Sequence, residues 1–222
     1  MRTLLSIFLI LPFYSLSAQY YNAELDNLME DVHIYSQSNN YGDGYEGSPY
    51  INDNFVEGSF LKTDSSFYNA VLMRYDAYGD NIEVHYKEQN FILGPKEEIQ
   101  YVVIGADTLV VMDYYDGSSP EQAYFYLLYE GDDLSLYCKR GKSFKKADEP
   151  KPYHEALPAR FQDLNDEYYW VKKGEDLVKV TNKRELKTFI TDKDVLDYIK
   201  KEKLSLRKAD DLTAIVKFYN KK

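Results

Sequence analysis

Tyr78-Gly79-Asp80-Asn81-Ile82-Glu83-Val84-His85-Tyr86-Lys87 decides the fold class. The first four residues are turn formers, with glycine and Asp-Asn where the chain must reverse. The next six alternate: Ile82, Val84 and Tyr86 take one side, Glu83, His85 and Lys87 the other. A period of two places successive side chains on opposite faces, so this is a half-exposed strand entered through a tight turn.

The same pattern recurs in both directions. Upstream lie Gly58 to Lys62 and Phe67 to Asp76, separated by the polar Asp64-Ser65-Ser66. Downstream, Gln89 to Leu93 ends at Gly94-Pro95, and Ile99 to Ile104 turns at Gly105-Ala106-Asp107 into Thr108 to Tyr115. Ala123 to Tyr129 turns at Glu130-Gly131-Asp132-Asp133 into Leu134 to Lys139. Glu167 to Lys172 and Asp176 to Val180, bent at Lys173-Gly174, add a last hairpin. Strands joined by turns this short run antiparallel. The expected fold is therefore mainly β: an antiparallel meander forming a barrel or sandwich. Lys145 to Pro158 carries Pro150, Pro152 and Pro158 and reads as an extended connector.

At both ends the period changes from 2 to 3.6. Leu25, Leu28, Met29 and Val32 form one apolar stripe, predicting a short N-terminal helix over Ala23 to Ile34. Ser36 to Asn54, rich in Gly, Asn and Asp, follows as a loop. At the other end Asn182 and Glu185 form a capping box ahead of Leu186, Phe189 and Ile190. Thr191 or Asp192 caps a second helix, with Val195, Leu196 and Ile199 inward. Asp210 or Asp211 opens a third, with Leu212, Ile215, Val216 and Tyr219 at helical spacing. Such short helices need the sheet to pack on.

The chain opens Met1-Arg2, runs through the uncharged apolar stretch Leu4 to Leu16, and reaches small residues at Ser15, Ser17 and Ala18. These are the three parts of a secretory signal peptide. The run is shorter than the ~20 residues a membrane helix needs. Ser15 and Ser17 fit a cut after Ser17; a cut after Ala18 is the alternative. The expected organisation is a signal peptide at 1–18, a helix and loop at 19–54, an antiparallel β domain at 55–180 and a helical tail at 181–222 packed on it. The expected address is periplasmic, cell-surface or secreted, with no membrane span in the mature chain.

Charge is divided along the chain. Residues 19–140 hold 22 Asp and Glu against 6 Lys and Arg, whereas residues 141–222 hold 15 against 20. An acidic body with a basic tail serves solubility, or it presents a basic end to an anionic surface or partner. The overall charge of -10 in an exported chain argues against nucleic acid.

Chemistry-bearing motifs are scarce. The three histidines are scattered: His33 ends the first helix, His85 lies on the polar face of its strand, and His154 sits beside Glu155 in the proline-rich connector. His154 with Glu155 is the best acid–base candidate, yet no nucleophile elbow accompanies it. Three histidines and one cysteine do not make a zinc site. The loop from Asn39 to Gly44 fails the spacing of a calcium loop. No glycine-rich phosphate cradle occurs, so no cofactor is expected. Cys138 shares an apolar strand face with Leu134 and Leu136, which marks it as a core residue and not a nucleophile. Carboxylates that could pair across a cleft include Asp113 with Asp116, and Glu83. The 23 tyrosines stand out. Tyr114, Tyr115, Tyr124, Tyr126, Tyr169 and Trp170 could line a groove or barrel mouth as a ligand platform; packing of a well-filled sheet is their other use.

Several stretches taken together resemble uncharacterised exported proteins of the Bacteroidota. They are Leu16-Ser17-Ala18-Gln19, Glu46-Gly47-Ser48-Pro49-Tyr50 ahead of Phe55 to Phe60, Leu72-Met73-Arg74-Tyr75-Asp76, and the tail from Lys179-Val180-Thr181-Asn182-Lys183 to Tyr219-Asn220. The resemblance implies a periplasmic or outer-surface address and a strand-rich body with a helical tail. It implies no activity. The functional reading is a non-catalytic exported binding or interaction protein of the cell envelope. Its partner would be an envelope protein, a glycan or an apolar small molecule. A small periplasmic hydrolase using carboxylates and a structural envelope component are the alternatives.

Overall fold

Twelve strands and three helices make up the fold in the computed structural model, which describes residues 44–115, 119–149 and 157–222. The expected signal peptide, the expected N-terminal helix, His33, the Asn39 to Gly44 loop up to residue 43, Asp116, and His154 with Glu155 lie outside the described residues. The strands are β1 (Val56–Lys62), β2 (Phe67–Asp76), β3 (Asn81–Tyr86), β4 (Gln89–Leu93), β5 (Ile99–Ile104) and β6 (Asp107–Tyr115). There follow β7 (Pro120–Tyr129), β8 (Leu134–Lys139), β9 (Lys142–Lys145), β10 (Arg160–Asp163), β11 (Glu167–Lys172) and β12 (Val178–Lys179). The helices are α1 (Lys183–Phe189), α2 (Lys193–Lys201) and α3 (Ala209–Tyr219).

Ten strands form one antiparallel sheet in the order β12-β11-β8-β7-β6-β5-β1-β2-β3-β4. The sheet does not close into a barrel; β12 and β4 remain as edges, and the fold is sandwich-like. One connection departs from a simple meander: after β4 the chain crosses to the far side of β1 and lays β5 there. β9 and β10 pair separately, Phe161 opposite Phe144. The expected connector thus begins and ends in a small hairpin whose four-residue strands are too short to show a period.

Twist accumulates across so many strands, and here it folds the sheet over its own face. Tyr75 of β2 meets Tyr124 and Tyr126 of β7 edge-on at 6.2 and 5.8 Å, although three strands separate β2 from β7 in the sheet. Between the two halves lies a core of Phe60, Val71, Met73, Ile82, Val102 and their neighbours. Asp80 ties the halves together. Its carboxylate accepts from Tyr75 Oη at 2.7 Å and from the Tyr124 amide at 3.3 Å, and it pairs with Lys96 at 2.7 Å. Gly58 lets β1 and β5 close, because a Cβ there would overlap the Val103 carbonyl oxygen.

Further along the same inner face, Leu134, Leu136 and Trp170 are covered by the three helices. Leu186 and Ile190, Val195 and Ile199, and Leu212, Ile215 and Val216 are the buried contributions of the successive helical segments. These are the positions whose helical spacing predicts them. The outer face carries a smaller cluster of Ala123, Phe125 and Tyr169. Cys138 is buried on the inner face, and burial pushes its thiol up to about 12.

Candidate functional site

Five of the six aromatic residues expected as a ligand platform, Tyr114 aside, occupy three different places. Tyr124 and Tyr126 lie together inside the core between the sheet halves. The Tyr124 hydroxyl makes no hydrogen bond among the described residues, and burial raises its pKa. Trp170 is fully buried beneath the helices, 6.0 Å from the ring of Phe189. Tyr169 points to the opposite face and packs edge-on against Phe125 at 5.2 Å. Tyr115 stands 66% exposed at the end of β6, and Tyr114 pairs opposite Glu121 in the β6–β7 ladder. Alternation along β11 explains the split: Tyr169 and Trp170 are adjacent, so they face opposite ways. Tyr115 and Tyr169 do meet in one shallow outer groove of about 410 Å³, with Asp113, Asp176 and Leu177.

The other expected chemical groups are tied up or isolated. Glu83 sits on the face assigned to solvent, yet it is buried. Arg74 donates to it through Nε at 3.0 Å and Nη2 at 2.8 Å, and Tyr50 Oη donates at 3.0 Å. The guanidinium lies 3.5 Å from the Tyr50 ring centre and 4.3 Å from that of Phe55. This closed network satisfies the carboxylate and offers no cleft to a substrate. Asp76, beside it, accepts the amides of Tyr78 and Gly79 at 3.0 and 2.9 Å, while burial raises its pKa. His85 Nδ1 meets Asn90 Oδ1 at 2.8 Å, not a carboxylate. Among the described residues no three His, Cys, Asp or Glu side chains converge on a metal position.

A cleft of about 710 Å³ lies between α1 and α2. Local sequence builds it. Asn182 caps α1, its Oδ1 accepting from the amides of Arg184 and Glu185 at 3.0 Å each. Glu185 completes the cap from the other side, but onto Thr181, whose amide and hydroxyl both donate to Oε2 at 2.8 Å. At the far end, Lys172 of β11 donates to the Phe189 carbonyl at 2.6 Å. Asp192 caps α2 through the amides of Asp194 and Val195, and Lys222 bridges Asp192 and Asp194. Asn220, at the end of α3, takes the amides of Asp133 and Leu134 on Oδ1 and donates from Nδ2 to the carbonyls of Leu134 and Val216. That side chain fastens the helical layer to the β7–β8 turn.

The lining of this cleft is chemically sorted. Its floor is Leu186, Leu196, Ile199, Leu204 and Leu206, all buried or half-buried. Its rim is Lys183, Arg184, Lys187, Lys200 and Lys203, all exposed, with no carboxylate in the lining. Of these five cations only Lys200 has an ion pair among the described residues, to Asp197 at 3.5 Å. On α1, positions 183 and 187 are one turn apart and share a side of the helix.

The end of α2 adds a backbone peculiarity. The Leu204 amide donates to the Ile199 carbonyl at 3.0 Å and the Lys203 amide to the Lys200 carbonyl at 3.3 Å. This is the Schellman arrangement, in which the residue past the cap is left-handed and is usually glycine. Here it is Lys203, at φ 54°. Leu204 and Ile199 hold the two positions whose apolar contact usually accompanies this motif, and both line the floor of the cleft.

Helical spacing marks Leu186, Leu196 and Ile199 only as inward positions, and no motif marks the rim cations. The signal that marks them in the sequence is the excess of Lys and Arg after residue 141, together with helical spacing that leaves those charges off the buried stripe. No protein-family profile, no curated protein and no solved structure matches the chain.

Proposed function

We propose that this chain is an exported, non-catalytic binding protein of the cell envelope, and that the α1–α2 cleft is its binding surface for a partner that is anionic and partly apolar. The observation that carries the reading is the sorted lining: an apolar floor inside a rim of five cations and no acid, on a chain of net charge -10. A surface that is acidic elsewhere repels anions generally, so cations gathered at one cleft focus them there. The cleft volume falls in the range of about 300–1,000 Å³ typical of small-ligand sites.

Thermal melting against a panel of anionic amphiphiles, polyanions, neutral glycans and neutral amphiphiles tests this. Anionic compounds should raise the melting temperature at low salt, and the shift should shrink as salt screens the rim. A panel in which no anion stabilises the protein, even at low ionic strength, refutes it. For the address, the exported protein should begin at Ala18 or Gln19 when made with its own leader; retention of residues 1–17 refutes export by that signal.

The outer groove supports a second reading, the carboxylate hydrolase. Asp113 and Asp176 line the groove together with Tyr115, combining acid–base groups with an exposed ring on which a sugar can stack. Release of reducing ends from envelope glycans, abolished by Asp113→Asn, tests that reading; absence of any release refutes it.

A further inference from the structure

We infer that the occupant of the α1–α2 cleft is a single-chain amphiphile with an anionic head, its hydrocarbon chain laid along the floor and its head held at the rim. This rests on the binding reading above and assigns the class of ligand within it.

The exposure of the lining distinguishes the possible partners. Every exposed residue is a cation or Thr188, and every apolar residue is recessed. A membrane-surface site has the reverse layout, with protruding apolar side chains that enter the bilayer boundary. A flat bilayer pressed against this cleft touches lysines and leaves the leucines uncovered. A slender chain can reach them.

An acidic peptide fits less well. Its backbone would bring amide and carbonyl groups onto the floor, and each buried polar group needs a partner. The lining offers one uncharged polar side chain, Thr188, whose hydroxyl already donates to the Arg184 carbonyl at 3.2 Å. A methylene chain brings no such groups, so five aliphatic side chains suffice to receive it.

Lys203 bears on the same point. An L-residue in the left-handed conformation is strained, and glycine would relieve the strain. Strain of this kind persists where the surrounding structure fixes the backbone, here through the two hydrogen bonds that close the end of α2. At position 203 the side chain is one of the five rim cations.

The test is calorimetric titration of the purified protein at low salt with dodecanoate, decanoate, dodecyl phosphate, neutral dodecyl maltoside, polyglutamate and anionic phospholipid vesicles. The same set is run on Lys187→Glu/Lys203→Glu, whose two positions are exposed. Dodecanoate should bind one per chain. Decanoate should bind about 15-fold more weakly, the effect of removing two methylenes from an apolar site. The double variant should bind dodecanoate at least about ten-fold more weakly while melting close to the parent. Binding of dodecyl phosphate as well assigns the rim to anionic heads in general, and its failure assigns it to carboxylates; either outcome supports the inference.

Three results overturn it. Equal binding of decanoate and dodecanoate means the chain does not lie on the floor. Binding of polyglutamate or vesicles but not dodecanoate, lost in the double variant, removes the amphiphile and leaves the cleft as a site for an anionic macromolecule. If nothing binds in a way the double variant weakens, the inference and the binding reading fall together.

Discussion

Replacing Lys203 by glycine should make the protein more stable and worse at binding. The residue sits at φ 54°, one position past Glu202, the C-cap of α2. Left-handed backbone costs an ordinary L-residue about 1–2 kcal/mol, whereas the extra freedom of an unfolded glycine costs about 0.5–1 kcal/mol. Removing a cation from a helix C-terminus sacrifices about 0.3 kcal/mol, and Lys200 and Lys201 remain in the last turn. The balance favours Lys203→Gly by roughly 0.5 kcal/mol, a rise of about 1–2 °C in a domain of this size. Lys203→Ala is the control, since it removes the cation and keeps the strain. Urea melts should place glycine above the parent and alanine at or below it. Dodecanoate titrations should place both variants below the parent by the same few-fold factor. If Lys203→Gly destabilises the protein, the left-handed cap is not carrying strain. If it binds as the parent does, Lys203 is not a rim cation in use.

Three further outcomes follow from the fold. Asn220→Ala removes four hydrogen bonds to backbone groups, two of them to the carbonyls of buried Leu134 and Val216, and should cost about 2–4 kcal/mol in a denaturant melt; a loss under about 0.5 kcal/mol would mean the clamp is not formed. Gly58→Ala forces a methyl group into the Val103 carbonyl between two paired strands, and should destabilise by about 3 kcal/mol or abolish folding, whereas a wild-type melt would show that β1 and β5 can part. Cys138, with its thiol pushed up to about 12 by burial, should resist iodoacetamide at pH 8 in the native state and react promptly in urea; rapid native labelling would contradict its burial.

How much of this was legible in the sequence depends on the range of each interaction. The strands are local: β2, β4, β5, β8 and β11 run between the residues that alternation and turn chemistry select, Phe67 to Asp76 among them. Helix caps are local as well, and Asn182 and Asp192 both act as the spacing predicts. What alternation cannot see is which polar residue will be covered from afar. Glu83 follows the exposed phase of its strand, but Tyr50 and Arg74 close over it from outside that strand. The aromatic platform failed to assemble as one surface for a related reason. Richness in tyrosine says that rings will be half-buried somewhere, whereas the fold-over of the sheet decides that Tyr124 and Tyr126 go inside and Tyr115 stays out. The crossing from β4 to β5 is equally invisible, since neither strand carries a mark of its partner.

The tail shows why a binding cleft can be built from elements too weak to stand alone. α1 has seven residues and α2 nine, well below the length at which isolated helices hold in water. Their stability comes from Trp170, Leu134 and Leu136 on the sheet, so the cleft exists only while the helical layer is docked. Binding and docking must therefore be linked: a ligand that needs the docked layer stabilises it, by about 2.7 kcal/mol at a hundred times its dissociation constant. The converse also holds. In Asn220→Ala the layer is loosened from the β7–β8 turn without any rim or floor residue being touched, yet ligand affinity should fall in proportion to the fraction of undocked tail. Saturating dodecanoate should then recover much of the lost melting temperature. An Asn220→Ala protein that melts early but binds with parental affinity would show that the cleft forms independently of the clamp, and would break the link drawn between the fold and the site.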